Sequence, residues 1–98
     1  MTNNTEDFLQ TLEVTIADRL ENPSQESYTA GLAALGTKRV AQKVGEEAVE
    51  LALASVAGDR AEVLNEAADL VYHLLVLLQC QDLRLSDVVN TLEARHPG

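Results

Sequence analysis

The sequence predicts an all-α domain, a helical bundle built on a long antiparallel helix hairpin and completed by dimerisation. Apolar residues recur at helical spacing along most of the 98 residues. No segment alternates apolar and polar residues for long, and aromatic residues make up only 3% of the chain, which argues against strands. A chain of this length has room for one small domain, so we predict a single domain over residues 1–98.

The first two helices are predicted from apolar spacing and from the residues that interrupt it. Apolar side chains four residues apart indicate a helix over 5–21, and Pro23 breaks the chain after it. A short second helix is predicted over 27–35 and ends at Gly36, since glycine is the usual residue just beyond a helix C-terminus.

The third helix is the longest in the prediction. Thr37 is expected to cap it, and it continues to Ala57 before stopping at Gly58. Because only a tight turn separates this helix from the next, the two should lie antiparallel and form the central hairpin of the domain.

The last two helices carry their own start signals. Asp59 and Glu62 form a capping-box-like pair, so the fourth helix is predicted to begin there and to run to about Cys80. Ser86 is expected to cap a final helix that ends at Arg95.

Charge and composition exclude several classes of protein. The net charge of −9 opposes nucleic-acid binding, which needs a basic surface. The longest apolar run, 70–78, is interrupted by His73 and is too short to cross a bilayer, so no membrane is expected. The N-terminus is polar and acidic, unlike a signal peptide, and the single cysteine, Cys80, fits a reducing compartment. We therefore expect a cytoplasmic protein.

Four acidic residues are placed symmetrically about the predicted turn. Glu50 and Glu66 each lie eight residues from Gly58, and Glu47 and Asp69 each lie eleven residues from it. In an antiparallel pair, the first two should share a level roughly 12 Å from the turn and the others a level roughly 4.5 Å further along. We call these four residues the acidic quartet.

The neighbours of the quartet in the helical pattern are apolar. Uncompensated charges there would cost several kcal/mol each, so the acids should either take up protons or surround a cation. Carboxylate oxygens suit Mg²⁺ or Mn²⁺, whereas the absence of nearby cysteines makes a zinc site a poor match. The alternative is that the four acids are a solvated face of a very acidic protein. We predict that Glu47, Glu50, Glu66 and Asp69 bind a metal ion.

Basic residues cluster just before the quartet. Lys38, Arg39 and Lys43 are three of only seven basic residues, and they occupy the first two turns of the long helix. We predict that they bind substrate phosphate, with ordinary solvated charge as the alternative, particularly for Arg39. His73 lies four residues after Asp69 and is interpreted as a buried group that supports a metal-binding carboxylate.

These motifs resemble those of a known family. Glu47-x-x-Glu50 followed by Glu66-x-x-Asp69 resembles the ExxE…ExxD signature of the MazG-like all-α nucleotide pyrophosphohydrolases. The segments "SYTAGLAALGTKRVAQKVGEEAVELALA" and "NEAADLVYHLLVLLQ" are more specific, and they resemble the phosphoribosyl-ATP pyrophosphohydrolases of histidine biosynthesis. The resemblance extends from Leu9 to His96. The chain is too short to contain a fused cyclohydrolase, so the stand-alone form is expected.

The resemblance implies Mg²⁺-dependent hydrolysis of the α–β phosphoanhydride of phosphoribosyl-ATP, yielding phosphoribosyl-AMP and pyrophosphate. Cations held by the quartet would neutralise the triphosphate and lower the pKa of an attacking water. Either Glu46 or Glu47 would hold or deprotonate that water. Tyr28 and Thr29, in the family-like segment "SYTA", are expected to contact substrate, with packing as the alternative for Tyr28.

Two other functions are compatible with parts of the sequence. A pyrophosphohydrolase of other nucleoside triphosphates would use the same quartet, and only the flanking segments favour the histidine pathway. A non-catalytic acidic helical module that dimerises would explain the apolar helices, but it would leave the symmetric acids unexplained.

Self-association is predicted from the long helix, which has apolar residues on two sides. Its two apolar faces comprise Val40, Val44 and Leu51 on one side and Val49, Leu53 and Val56 on the other. The segment 70–78 of the next helix is apolar almost all round and needs neighbours on every side. We therefore expect a homodimer, with a tetramer as the alternative.

Overall fold

The computed structural model describes residues 4–98, and it describes their side chains from residue 8 onward. Within these residues the chain forms helices and no strands, which confirms the predicted all-α class. The helices are α1 (Asn4–Glu21), α2 (Tyr28–Ala34), α3 (Thr37–Ala57), α4 (Arg60–Gln79) and α5 (Leu85–Arg95).

The turn between α3 and α4 has the structure that the sequence predicts. Gly58 adopts φ 77°, a left-handed conformation that glycine takes without steric cost, and its N–H donates to the carbonyls of Ala54 and Ser55. The Asp59 carboxylate accepts a hydrogen bond of 3.1 Å from the Glu62 N–H and so caps α4. The two long helices therefore form the predicted antiparallel hairpin.

The predicted cap of α3 is wrong. Thr37 is the first helical residue, and Gly36 occupies the capping position without a side chain to donate or accept. The Gly36 carbonyl accepts from the N–H groups of Arg39 and Val40, so the helix starts one residue earlier than predicted. Gly36 has φ 99°, which disfavours any residue with a side chain.

The predicted cap of α5 is also wrong, because a residue distant in sequence supplies the acceptor. The helix begins at Leu85, before Ser86, and the Leu85 N–H donates to Oε2 of Glu13 on α1 at 2.7 Å. The Asp87 carboxylate accepts from the Arg84 N–H at 2.9 Å. No local pattern could reveal the contribution of Glu13.

The core lies where α1, α2, α3 and α4 meet, and α5 contributes no buried residue to it. Its fully or almost fully buried members are Ile16, Leu32, Val40, Leu75 and Val76. Several large apolar side chains of the hairpin remain on the surface, namely Val49, Leu53, Val56 and Leu64. None of the described helices is both long enough and apolar enough to span a membrane.

Candidate metal centre

The hairpin brings three of the four predicted metal ligands together. Glu47 of α3 and Glu66 and Asp69 of α4 each offer one carboxylate oxygen, and these oxygens all lie within 4.8 Å of one another. Glu50 of α3 joins them, since its carboxylate is within reach of a hydrogen bond from protonated Glu66. The predicted register is therefore confirmed, since Glu50 lies opposite Glu66 and Glu47 lies opposite Asp69.

The burial of the quartet differs from the prediction. Glu47 is buried, with a side-chain exposure of 5%, and Glu66 is half-buried. Glu50 and Asp69 are exposed, so the prediction that all four acids face apolar neighbours is wrong for these two. Glu50 and Glu66 line an open cleft of about 350 Å³ that extends toward the turn past Ala54 and Ala57. Glu50 and Glu66 are therefore accessible to a ligand from this side.

The other members of the quartet favour the protonated form of Glu66. The hydrogen bond that protonated Glu66 donates to Glu50, partial burial and the charges of Glu50, Glu47 and Asp69 together raise the pKa of Glu66 to about 7. A carboxyl group with this pKa holds a proton that a nearby cation would displace.

A pH dependence of stability follows from this pKa. The folded pKa of Glu66 is about 7 and its ordinary value is 4.5, so the folded state binds the proton more tightly than the unfolded state does. In metal-free buffer we expect this group to stabilise the fold at low pH, with the contribution declining as pH rises from 4.5 to about 7. Denaturant unfolding measured across this pH interval should show that the free energy of unfolding declines less steeply with pH for Glu66→Gln than for wild type.

Glu62→Gln, at an exposed residue one turn earlier, is the control, and its free energy of unfolding should decline with pH as steeply as that of wild type. Identical slopes for wild type and Glu66→Gln would contradict the prediction.

Glu47 has one satisfied and one unsatisfied oxygen. Its Oε1 lies 3.2 Å from Nζ of Lys43, whereas its Oε2 is buried and has no hydrogen-bond partner among the described residues. An orphaned carboxylate oxygen beside two further acids is costly unless a cation approaches it. The donor set of carboxylate oxygens, drawn from both helices, thus suits a hard divalent cation such as Mg²⁺ or Mn²⁺.

The predicted phosphate-binding residues occupy the same end of α3. The hydrogen bond to Glu47 raises the pKa of Lys43, so its ammonium group remains charged. Arg39 lies 3.8 Å from Glu46, which also accepts a hydrogen bond of 3.2 Å from Gln42. Lys38 is exposed. Lys43 is therefore the basic residue in direct contact with the quartet.

Helix α2 is attached to α4 by two side-chain hydrogen bonds. The Tyr28 hydroxyl contacts Nε2 of His73 at 2.7 Å, and the Thr29 hydroxyl bonds to that of Tyr72. Thr29 is fully buried, so the geometry argues against the predicted direct contact between Thr29 and substrate. Tyr28 remains 56% exposed and available. Tyr72 was not singled out from the sequence, although its position beside His73 could have indicated it.

His73 is buried as predicted, but it contacts a different group from the predicted carboxylate. Its Nδ1 lies 2.6 Å from the main-chain carbonyl oxygen of Asp69, not from a carboxylate of the quartet. The spacing of four residues on one helix explains this, because a side chain at that distance can reach back to the carbonyl of the preceding turn. The ring supports the backbone at Asp69 and leaves the carboxylate free.

The family model for phosphoribosyl-ATP pyrophosphohydrolase matches residues 9–96. The chain belongs to this family. The resemblance found in the sequence is therefore confirmed. Both family-like segments quoted in the sequence analysis lie within the matched residues.

The curated relatives of this chain are longer proteins. The chain is 57% identical over 91% of its length to the histidine biosynthesis bifunctional protein HisIE of Photobacterium profundum, and it covers 43% of that protein. The corresponding protein of Vibrio cholerae is also 57% identical, with 42% covered. That of Salmonella typhimurium is 58% identical, with 44% covered. The chain thus spans less than half the length of the relatives it matches.

Proposed function

We propose that this protein hydrolyses phosphoribosyl-ATP to phosphoribosyl-AMP and pyrophosphate in a Mg²⁺-dependent reaction of histidine biosynthesis. The observation that carries the proposal is the convergence of carboxylates from both helices of the hairpin around Glu47, whose buried Oε2 has no partner among the described residues. A solvated acidic face would leave each carboxylate free to turn toward water, and Glu47 cannot do so.

Glu47, Glu50, Glu66 and Asp69 are the residues that would hold the metal. When bound, Mg²⁺ would neutralise triphosphate charge and lower the pKa of a water molecule. Mn²⁺ has similar ligand preferences and is the alternative ion. Because α3 and α4 lie antiparallel, the carboxylates of the quartet are already close together before substrate binds. Binding would therefore need little rearrangement.

The remaining residues act on the substrate and the attacking water. Lys43 is close enough to the quartet to bind a phosphate oxygen held beside the metal, and Lys38 and Arg39 extend the positive charge toward the helix start. Glu46 or Glu47 would orient and deprotonate the water. Glu46 is exposed and bound to Gln42, whereas Glu47 has an unpartnered oxygen at the cluster itself. Tyr28 contacts substrate, and buried Thr29 holds α2 in place.

A pyrophosphate-release assay tests the proposal. Purified protein with Mg²⁺ should release pyrophosphate from phosphoribosyl-ATP faster than from a panel of nucleoside triphosphates, and chelation with EDTA should stop the reaction. Faster release from a simple nucleotide would favour the alternative function, a pyrophosphohydrolase of other nucleoside triphosphates. No release from any substrate, together with no Mg²⁺ binding by calorimetry, would favour the non-catalytic helical module. We propose the cytoplasm as the location, because a chain with a single cysteine, Cys80, fits a reducing compartment.

We also propose that the working unit is a homodimer, with a tetramer as the alternative. Val49, Leu53, Val56 and Leu64 are 59–88% exposed on the hairpin, and together they make an apolar surface that a second copy could cover. We name these four residues the hairpin apolar surface.

Light scattering should give a mass of at least twice the 10.6 kDa of the chain. Leu53→Glu should shift the protein toward monomer, because it places a charge in the buried interface. Leu35→Glu, a substitution at an equally exposed leucine outside the hairpin apolar surface, is the matched control and should not. Active wild-type protein with the mass of one chain would contradict the prediction.

A further inference from the structure

The proposed substrate carries two separate anionic groups. Its triphosphate would be held at the metal centre, and its phosphoribosyl group adds a single phosphate at the other end of the molecule. Because a whole nucleoside separates the two groups, a metal ion at the quartet cannot also neutralise the second phosphate. A cationic side chain at some distance from the quartet has to bind it, and arginine is the residue whose shape best fits a phosphate.

The charge of the hairpin differs on the two sides of the quartet. Toward the turn, the cleft of about 350 Å³ is lined by four acids and, among the described residues, by no basic one. These acids are Glu50, Asp59, Glu62 and Glu66. In the opposite direction, the basic residues of α3 all lie in its first two turns. Coulomb repulsion disfavours a phosphate over the cleft and attraction favours one over the start of α3, so charge determines the direction in which the substrate extends.

Arg39 lies on the same side of α3 as the buried acid of the quartet. Arg39, Lys43 and Glu47 are spaced four residues apart, so their side chains follow one face of the helix. Each step of four residues is about 6 Å along the helix axis. Lys43, one step from Glu47, already contacts it at 3.2 Å. Arg39, two steps from Glu47, is therefore the basic residue placed to meet a group further along the substrate.

The Arg39 guanidinium has hydrogen-bond donors that the fold does not use. Its Nη1 is buried and has no hydrogen-bond partner among the described residues. Its ionic partner, Oε2 of Glu46, is 3.8 Å away, too far for a hydrogen bond, and already accepts one from Gln42. The two side chains of this ion pair are 40% and 45% exposed, so the pair contributes little to stability. The guanidinium can therefore leave Glu46 and turn toward a stronger acceptor at little cost.

We propose that Arg39 binds the phosphate of the phosphoribosyl group, and that the substrate extends from the quartet over the first turns of α3. The inference rests on the proposed function, in which the metal centre holds the triphosphate. The planar guanidinium can donate two parallel hydrogen bonds to phosphate oxygens, which gives the contact both strength and direction. Arg39 thereby distinguishes phosphoribosyl-ATP from nucleotides that lack the second phosphate, a distinction that the quartet alone cannot make.

Nucleotides with a non-hydrolysable α–β linkage test this contact. Calorimetry with Mg²⁺ would compare α,β-methylene-ATP, its ribosyl derivative and its phosphoribosyl derivative, and the last two differ only in the phosphate. We expect wild type to bind the phosphoribosyl form about ten- to a hundredfold more tightly than the ribosyl form, the usual effect of a hydrogen bond to a charged group. In Arg39→Gln, which keeps a polar side chain but no charge, that ratio should fall to about one. Circular dichroism would check that the variant is folded.

Arg60→Gln is the matched control, because it removes the same charge from the other end of the hairpin. Arg60 is exposed and begins α4, beside the turn. The ratio of phosphoribosyl to ribosyl binding should keep its wild-type value in this variant. A ratio lost in Arg60→Gln and kept in Arg39→Gln would place the phosphate near the turn and overturn the inference. An equal loss in both variants would indicate a general effect of net charge, and it would overturn the inference too.

Failure of this inference and failure of the proposed function give different results. Equal binding of the ribosyl and phosphoribosyl forms by wild type, or a wild-type ratio in Arg39→Gln, would overturn the phosphate contact even if phosphoribosyl-ATP is hydrolysed. Absence of binding by all three nucleotides would overturn it as well, and the pyrophosphate-release assay would decide the proposed function separately. A ratio that Arg39→Gln alone removes would support the contact even if another nucleotide is hydrolysed faster.

Discussion

Glu50→Ala and Asp69→Ala are each expected to lower turnover of phosphoribosyl-ATP about a thousandfold or more while leaving the helical fold intact. Metal-ion stabilisation of transition-state charge is worth several kcal/mol, and each 1.36 kcal/mol corresponds to a factor of ten in rate. Both side chains are exposed, so their truncation creates no cavity in the core.

The stability of these variants separates a metal-binding role from a structural one. Above the pKa of Glu66, which is about 7, the Glu66 carboxylate is charged and is repelled by the charges of Glu50, Glu47 and Asp69. In EDTA each substitution should therefore leave the free energy of unfolding unchanged or raise it by about 0.5 kcal/mol. With Mg²⁺ wild type should become more stable, and the variants should gain less.

Circular dichroism during denaturation, with and without Mg²⁺, provides the measurement, and pyrophosphate release provides the activity. Glu93→Ala, an exposed helical acid on α5, is the matched control and should behave as wild type in both. Unfolding of the metal-free Glu50 and Asp69 variants, with wild-type turnover in the fraction that stays folded, would show that the quartet is structural.

Lys43→Met is expected to have opposite effects on stability and on metal affinity. The Lys43 ammonium lies 3.2 Å from Glu47, and the two side chains are 29% and 5% exposed. Removing it leaves a buried carboxylate without a partner, which should destabilise the metal-free protein by about 2 kcal/mol, less than for a fully buried pair because Lys43 reaches solvent. Removing a positive charge beside the quartet should also tighten Mg²⁺ binding. We therefore expect Mg²⁺ to restore the stability that the substitution loses.

The same variant should be a poorer enzyme although it binds the metal more tightly. Loss of a charged contact to phosphate should lower kcat/KM about ten- to a hundredfold. Calorimetry gives the Mg²⁺ affinity, and denaturant unfolding in EDTA gives the stability. Lys38→Met, which removes an exposed lysine at the start of the same helix, is the control for stability and should have little effect on it. Unchanged stability and unchanged Mg²⁺ affinity in Lys43→Met would indicate an ordinary solvated charge.

The sequence by itself determined the central hairpin and the register of its acids. Gly58 and the Asp59 cap are local signals, because a left-handed glycine and a carboxylate next to free N–H groups act within a few residues. Once the turn is fixed, the rise per residue places Glu50 opposite Glu66 and Glu47 opposite Asp69 without further information. The family-like segments around these acids then pointed to the reaction.

Only the tertiary structure decided which groups of the site are buried and which atoms they bind. Helical periodicity places all four acids near apolar neighbours, but the burial of each acid depends on which residues pack over it. Of the four, only Glu47 is buried. The partner of the α5 N-terminus is Glu13, 72 residues away, and the partner of His73 is Tyr28, 45 residues away. Contacts over such separations arise from the docking of α1 and α2 onto the rest of the fold. Helix periodicity and capping rules describe neighbours within one or two turns, so they could not specify these pairs.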